Sequence, residues 1–233
     1  MVETKDPGRN DAYWPPGQPI EYPSQPATEP GELNIGLPNT TEDIRKLKSI
    51  NGIPIDQLEL RMRPYDQTKD FFTPVDPAPI PGAEEHLPRF SRSQYGFLGE
   101  KESLIEVLAD DNDEIGAYGM THQKVGRLLF DLMEAAGHGT TEFACLGNKI
   151  VHVAAGFPNG VQDSPFGDGV MVNAGALKFT NQTTGRTLSF DRLLPHLIYR
   201  YGFYEGHSTQ YRLEPKTIMD FFGIKKKGKE PNS

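Results

Sequence analysis

The chain has 233 residues, with 24 Lys and Arg against 32 Asp and Glu, a formal net charge of -8 and a single cysteine. This acidic balance argues against non-specific adhesion to nucleic acid or an anionic membrane, and one thiol excludes an intrachain disulfide scaffold. No apolar run reaches transmembrane length and no signal-peptide core stands at the start, so the expectation is a soluble cytoplasmic protein without membrane insertion.

Proline divides the chain. Fifteen of the 20 prolines precede residue 90, so a core is expected from roughly the last 140 residues, enough for one cooperative domain. Residues 1–38 carry Tyr13-Trp14-Pro15-Pro16 and Tyr22-Pro23 among repeated single prolines. Proline fixes φ, removes backbone donors and turns its predecessor away from helix, which predicts an extended arm. Large aromatics are what a disordered linker lacks, and rings flanked by prolines lose little entropy on docking. Tyr13, Trp14 and Tyr22 are therefore read as anchors for a protein partner or for a second copy of the chain.

Residues 39–90 are read as a short helix and a proline-rich linker. Asn39, Thr40 or Thr41 caps a helix carrying Ile44, Leu47 and Ile50, ended by Asn51-Gly52. Ile53 to Met62 is compatible with a strand or a short helix. Prolines 64, 74, 77, 79, 81 and 88 then return the chain to extended geometry over the domain surface.

The globular domain is placed at residues 91–224. Leu104, Ile105, Val107 and Leu108 give one face to an acidic helix whose other residues, from Glu100 to Glu114, form a solvated surface or a docking face for a basic partner. A second helix is capped by Thr121, carries Val125, Leu128, Leu129, Leu132, Met133 and Ala136, and stops at Gly137. Two hairpins follow. The first pairs Glu142 to Leu146 with Ile150 to Ala155 around a Gly147-Asn148 turn; the second pairs Ala176 to Thr180 with Arg186 to Phe190 around a loop ending in Gly185. Cys145, within a strand, reads as a small buried apolar side chain rather than a nucleophile. Asp191 caps a helix running to Tyr201 with Gly202 as its stop, and Pro215 opens a last helix that ends at Gly223. Residues 225–233 form a basic tail. The fold class expected is α+β, an antiparallel sheet of two hairpins covered by helices and preceded by the proline-rich arm.

Two glycine-rich loops hold the candidate chemistry. Residues 156–169 present Gln162, Asp163, Ser164 and Asp168, and residues 201–212 gather Tyr204, Glu205, His207 and Arg212. Neither contains Gly-x-x-x-x-Gly-Lys-Ser/Thr or Gly-x-Gly-x-x-Gly, so no nucleotide cofactor is expected. His138, His152, His196 and His207 lack the spacing that supplies two ligands from one element, so no metal is expected either. His138 or His207 with Ser164 and Asp163 or Asp168 makes a drawable hydrolytic set, and Gln162, Asp168, Tyr204 and Arg212 a ligand-binding set. Arg212 has a competing structural reading, pairing with Glu205 or Glu214. Two functions are left: an interaction or accessory protein anchored by its arm, and a small hydrolase with its site between the two loops. Convergence of these side chains on one point separates them.

Overall fold

The computed structural model describes residues 40–64, 95–153 and 161–227. Tyr13, Trp14 and Tyr22, most of the proline-rich linker and the end of the basic tail lie outside the described residues. The fold is α+β, with helices packed on antiparallel sheet.

Helix α1 (Thr41–Arg45) is capped by Thr40, whose hydroxyl accepts from Asp43 N at 3.1 Å. It stops well short of Ile50, contrary to the longer helix expected. Asn51 and Gly52 both take positive φ, +52° and +74°, which reverses the chain between β1 (Ser49–Ile50) and β2 (Ile53–Pro54). An Asn-Gly pair suits such a turn because neither residue is strongly penalised there. The ambiguous stretch after it resolves as this strand followed by α2 (Ile55–Met62).

Helix α3 (Leu104–Ala117) buries Leu104, Val107, Leu108, Asp111 and Ile115 along one stripe. Helix α4 (His122–Gly137) starts at Thr121, whose hydroxyl accepts from Lys124 N at 3.3 Å. The main sheet has the order β3-β4-β7-β8, all neighbours antiparallel. It is built from β3 (Glu142–Cys145), β4 (Asn148–Val153), β7 (Ala176–Asn181) and β8 (Arg186–Asp191). These are the two expected hairpins joined through β4 and β7. One register detail differs: Cys145 pairs with Asn148, so the turn falls on Leu146 and Gly147, both at positive φ. Asn148 is a strand residue whose amide reaches the carbonyl of Phe222 at 3.2 Å.

Between β4 and β7 lies an element the glycine-rich composition concealed. Residues 161–163, read as part of a loop, form β5 (Val161–Asp163), which pairs as a small hairpin with β6 (Met171–Asn173) just beyond that loop. Helix α5 (Leu194–Tyr201) begins two residues later than expected, yet Asp191 still serves its start, accepting from Leu193 N and Leu194 N at 2.8 and 2.9 Å. Helix α6 (Pro215–Phe222) opens on its proline and closes on Gly223, as expected from their conformational preferences.

Two buried clusters hold these elements. One joins Ile44, Leu47, Ile50, Ile53, Leu58 and Met62 to α3, Phe166, Leu193 and Leu197. The other places α4, α5 and α6 on the sheet face formed by Ile150, Leu177, Phe179, Leu188 and Phe190. Where α4 crosses α5 the backbones nearly touch: a Cβ on Gly126 would lie 2.6 Å from the Cβ of Tyr199. Cys145 is half-buried beside the second cluster, and burial, with Asp131 adding to it, pushes its thiol above the ordinary range. That disfavours thiolate and agrees with a packing role.

Candidate functional site

The turn between β5 and β6 carries Ser164, Phe166 and Asp168, and it is fastened at both ends. Ser164 N donates to the carbonyl of Val170 at 2.8 Å, and Val170 N donates to Asp168 Oδ1 at 3.1 Å. The ring of Phe166 stacks on Tyr201 of α5, centroids 3.9 Å apart, and meets Phe203 edge-on. This docking brings Asp168 Oδ2 to 2.6 Å from His196 Nε2 and within 2.7 Å of the Tyr201 hydroxyl, which donates to it. Asn51, from the β1–β2 turn, donates to the same hydroxyl at 2.8 Å and to the carbonyl of Phe166 at 3.0 Å.

Electrostatics fix the protonation of this group. Burial alone would raise the pKa of Asp168, but the hydrogen bond and charge of His196 and the bonds from Tyr201 and Val170 N overcome it, holding the carboxyl down at about 2. An ionised carboxylate only accepts, so His196 Nε2 carries a proton. Burial and the adjacent Asp168 push the Tyr201 phenol well above its ordinary range. The result is a closed Asp–His–Tyr–Asn group that locks a turn to a helix.

A second group centres on Arg212. Its guanidinium takes Asp111 of α3 bidentately, Nη2 to Oδ1 at 2.6 Å and Nη1 to Oδ2 at 3.2 Å, while Nε donates to Glu214 at 2.8 Å. The side chains of Arg212 and Asp111 are 3 % and 1 % exposed. Pairing with Glu214 matches one structural alternative; Glu205 is met only through its carbonyl, and Asp111 was not anticipated. Burial raises the Asp111 carboxyl to about 6, and the guanidinium keeps it ionised at neutral pH. The buried Tyr204 hydroxyl lies 3.1 Å from His122 Nδ1, and burial pushes this imidazole down to about 4. Among the described residues His122 Nε2 meets no hydrogen-bond partner.

The other candidates are distributed. His138 caps α4 and lies 3.8 Å from Glu134, and His207 lies 3.6 Å from Asp110. Gln162 and Asp163 stand on β5 opposite Val172 and Met171, and Ser164 is buried, its Oγ facing Phe166 N at 3.4 Å. The hydrolytic set therefore divides among separate pairings, and of the ligand-binding set Arg212 and Tyr204 are sealed inside. The Asp168 carboxylate faces His196, which the loop-centred reading passed over. Among the described residues no group of three or more His, Cys, Asp or Glu side chains gathers as metal ligands would, and no helix is long and apolar enough to cross a membrane. Compared with known proteins, the chain matches no family model, no curated protein and no solved structure.

Proposed function

We propose that this chain is an interaction or accessory protein of the cytoplasm, held to a protein partner or to a second copy of itself by the segment 1–38, with Tyr13, Trp14 and Tyr22 as anchors. The observation that supports this best is the internal commitment of the candidate chemistry. His138, His207, Asp168 and Arg212 each belong to a different pairing, and the buried ones are saturated by groups of the same fold. Rings set between prolines dock at low entropic cost, which suits them to anchoring. The net charge of -8 speaks against nucleic acid as the partner. Removing residues 1–38 is expected to leave the thermal midpoint unchanged while abolishing co-purification with the partner or, where the partner is a second copy, reducing the native mass measured by light scattering to that of the lone chain. A truncated protein that keeps both its co-purifying partner and its association state would contradict the reading.

A small hydrolase with its site between loops 156–169 and 202–212 keeps one supporting observation, the His196–Asp168 pair, a geometry that orients an imidazole for proton transfer. Turnover of chromogenic esters by the wild type and not by His196→Ala would favour it over the interaction reading.

A further inference from the structure

The reversal between β1 and β2 is an Asn-Gly pair, Asn51-Gly52, at φ +52° and +74°. Both residues are exposed, and a Cβ on Gly52 would meet nothing within 4 Å. The Asn51 side chain is nevertheless fully engaged: its Nδ2 donates to the carbonyl of Phe166 at 3.0 Å and to the Tyr201 hydroxyl at 2.8 Å. Both partners need a donor at this point. A carbonyl only accepts, and the one proton of Tyr201 is already given to Asp168 Oδ2, which His196 Nε2 also meets at 2.6 Å. The amide of Asn51 therefore joins the β1–β2 turn to the β5–β6 turn and to α5.

This amide stands ahead of a residue whose backbone nitrogen no side chain shields. Gly52 N can attack Asn51 Cγ: the N–Cγ bond forms, the Cγ–Nδ2 bond breaks, and ammonia leaves with the Gly52 amide proton. Water then opens the five-membered imide to Asp or to the backbone-lengthened isoaspartyl form. We propose that Asn51 is a deamidation site gated by the fold, and that its conversion irreversibly releases the β1–β2 turn from Phe166 and Tyr201. The gate is the pair of hydrogen bonds, since Cγ is held in place while Nδ2 keeps both acceptors. The release follows from proton count. A carboxylate at position 51 has nothing to donate, so it faces the Phe166 carbonyl as a second acceptor and competes with Asp168 for the single Tyr201 proton. The isoaspartyl form also adds a methylene to a two-residue turn whose length sets the register of Ile50 against Ile53.

The test ages the full chain in mildly alkaline native buffer and in urea. Peptide mapping by mass spectrometry follows the amide-to-acid mass gain at Asn51, resolved from the chain's other Asn-Gly pair, Asn159-Gly160. Conversion at Asn51 is expected in native buffer at a rate about tenfold or more below that in urea, because two hydrogen bonds must open first. Tyr201→Phe, which removes one acceptor of the amide, should speed native conversion several-fold and leave the rate in urea unchanged. Asn51→Asp reproduces the product, and Asn51→Gly removes the amide without strain at positive φ. The urea midpoint of Asn51→Asp is expected below that of Asn51→Gly, with the unfolded fraction raised about tenfold over the wild type. Amide exchange of Ile55, whose N–H donates to the Lys48 carbonyl at 3.0 Å across the β1–β2 pair, should be faster in Asn51→Asp. Where that variant fails to fold, the aged wild type separated by charge supplies the same midpoint and exchange. The proposal is overturned by no conversion at Asn51 in native buffer, by native conversion as fast as in urea, by a Tyr201→Phe rate equal to that of the wild type, or by a converted chain as stable as Asn51→Gly.

Discussion

A methyl group on Gly202 would meet the imidazole of His122 at 2.7 Å, on a backbone already at φ +67°. Both facts point one way, since an L side chain is strained in that conformation and the ring cannot retreat from a filled core. Gly202→Ala is expected to destabilise the fold by about 3 kcal/mol, read as a lowered urea midpoint with unchanged slope. His122 itself makes stability depend on acid. Its imidazole titrates at about 4 in the fold against an ordinary 6.5, because burial penalises the charged ring. Between those values the unfolded chain binds a proton that the folded one refuses, so stability falls as pH drops, by about 3 kcal/mol in all. In His122→Phe that part of the acid dependence should disappear, which the difference between the two urea midpoints at about pH 6.5 and about pH 4 checks.

Local chemistry wrote most element boundaries into the sequence. Thr40, Thr121 and Asp191 accept from the helix starts that their positions announced, and Gly202 and Gly223 close α5 and α6 at positive φ. The exceptions have physical causes. Ile44, Leu47 and Ile50 are spaced as a helix would space them, yet the Asn51-Gly52 turn pulls Ile50 into a strand. The β3–β4 turn moved to Leu146 and Gly147 because strand pairing, not turn propensity, sets its register. Leu146 is 60 % exposed at φ +48°, so Leu146→Asn should stabilise the hairpin by about 0.5–1 kcal/mol, visible as a higher thermal midpoint. Asp111 left a legible trace that was not read: positions 104, 107, 108, 111 and 115 form one helical stripe, and an acid on that stripe needs a buried cation. Arg212→Met is expected to cost about 3–5 kcal/mol by leaving that carboxylate unpaired. Adding Asp111→Leu should restore much of the loss, and a double variant no better than the single one would show that the pair acts by more than charge compensation.

At the scale of the whole molecule, the candidate site was the part least available to sequence. Asp168 meets partners 28 and 33 residues away, and Tyr201 is joined by Asn51 across 150. No spacing rule spans such separations; only the packing of the β5–β6 turn on α5 creates the group. That packing turns the polar loops into fastenings; contact with another protein through the segment 1–38 is the proposed reading. Trp14 is the only tryptophan in the chain, so its emission reports on the arm alone. The most direct measurement compares Trp14 fluorescence and acrylamide quenching in the assembled native-mass species and in the diluted, dissociated chain. The account predicts blue-shifted, quencher-protected emission in the assembly and exposed emission after dissociation. Emission equally exposed in both states, or equally protected in both, would contradict it.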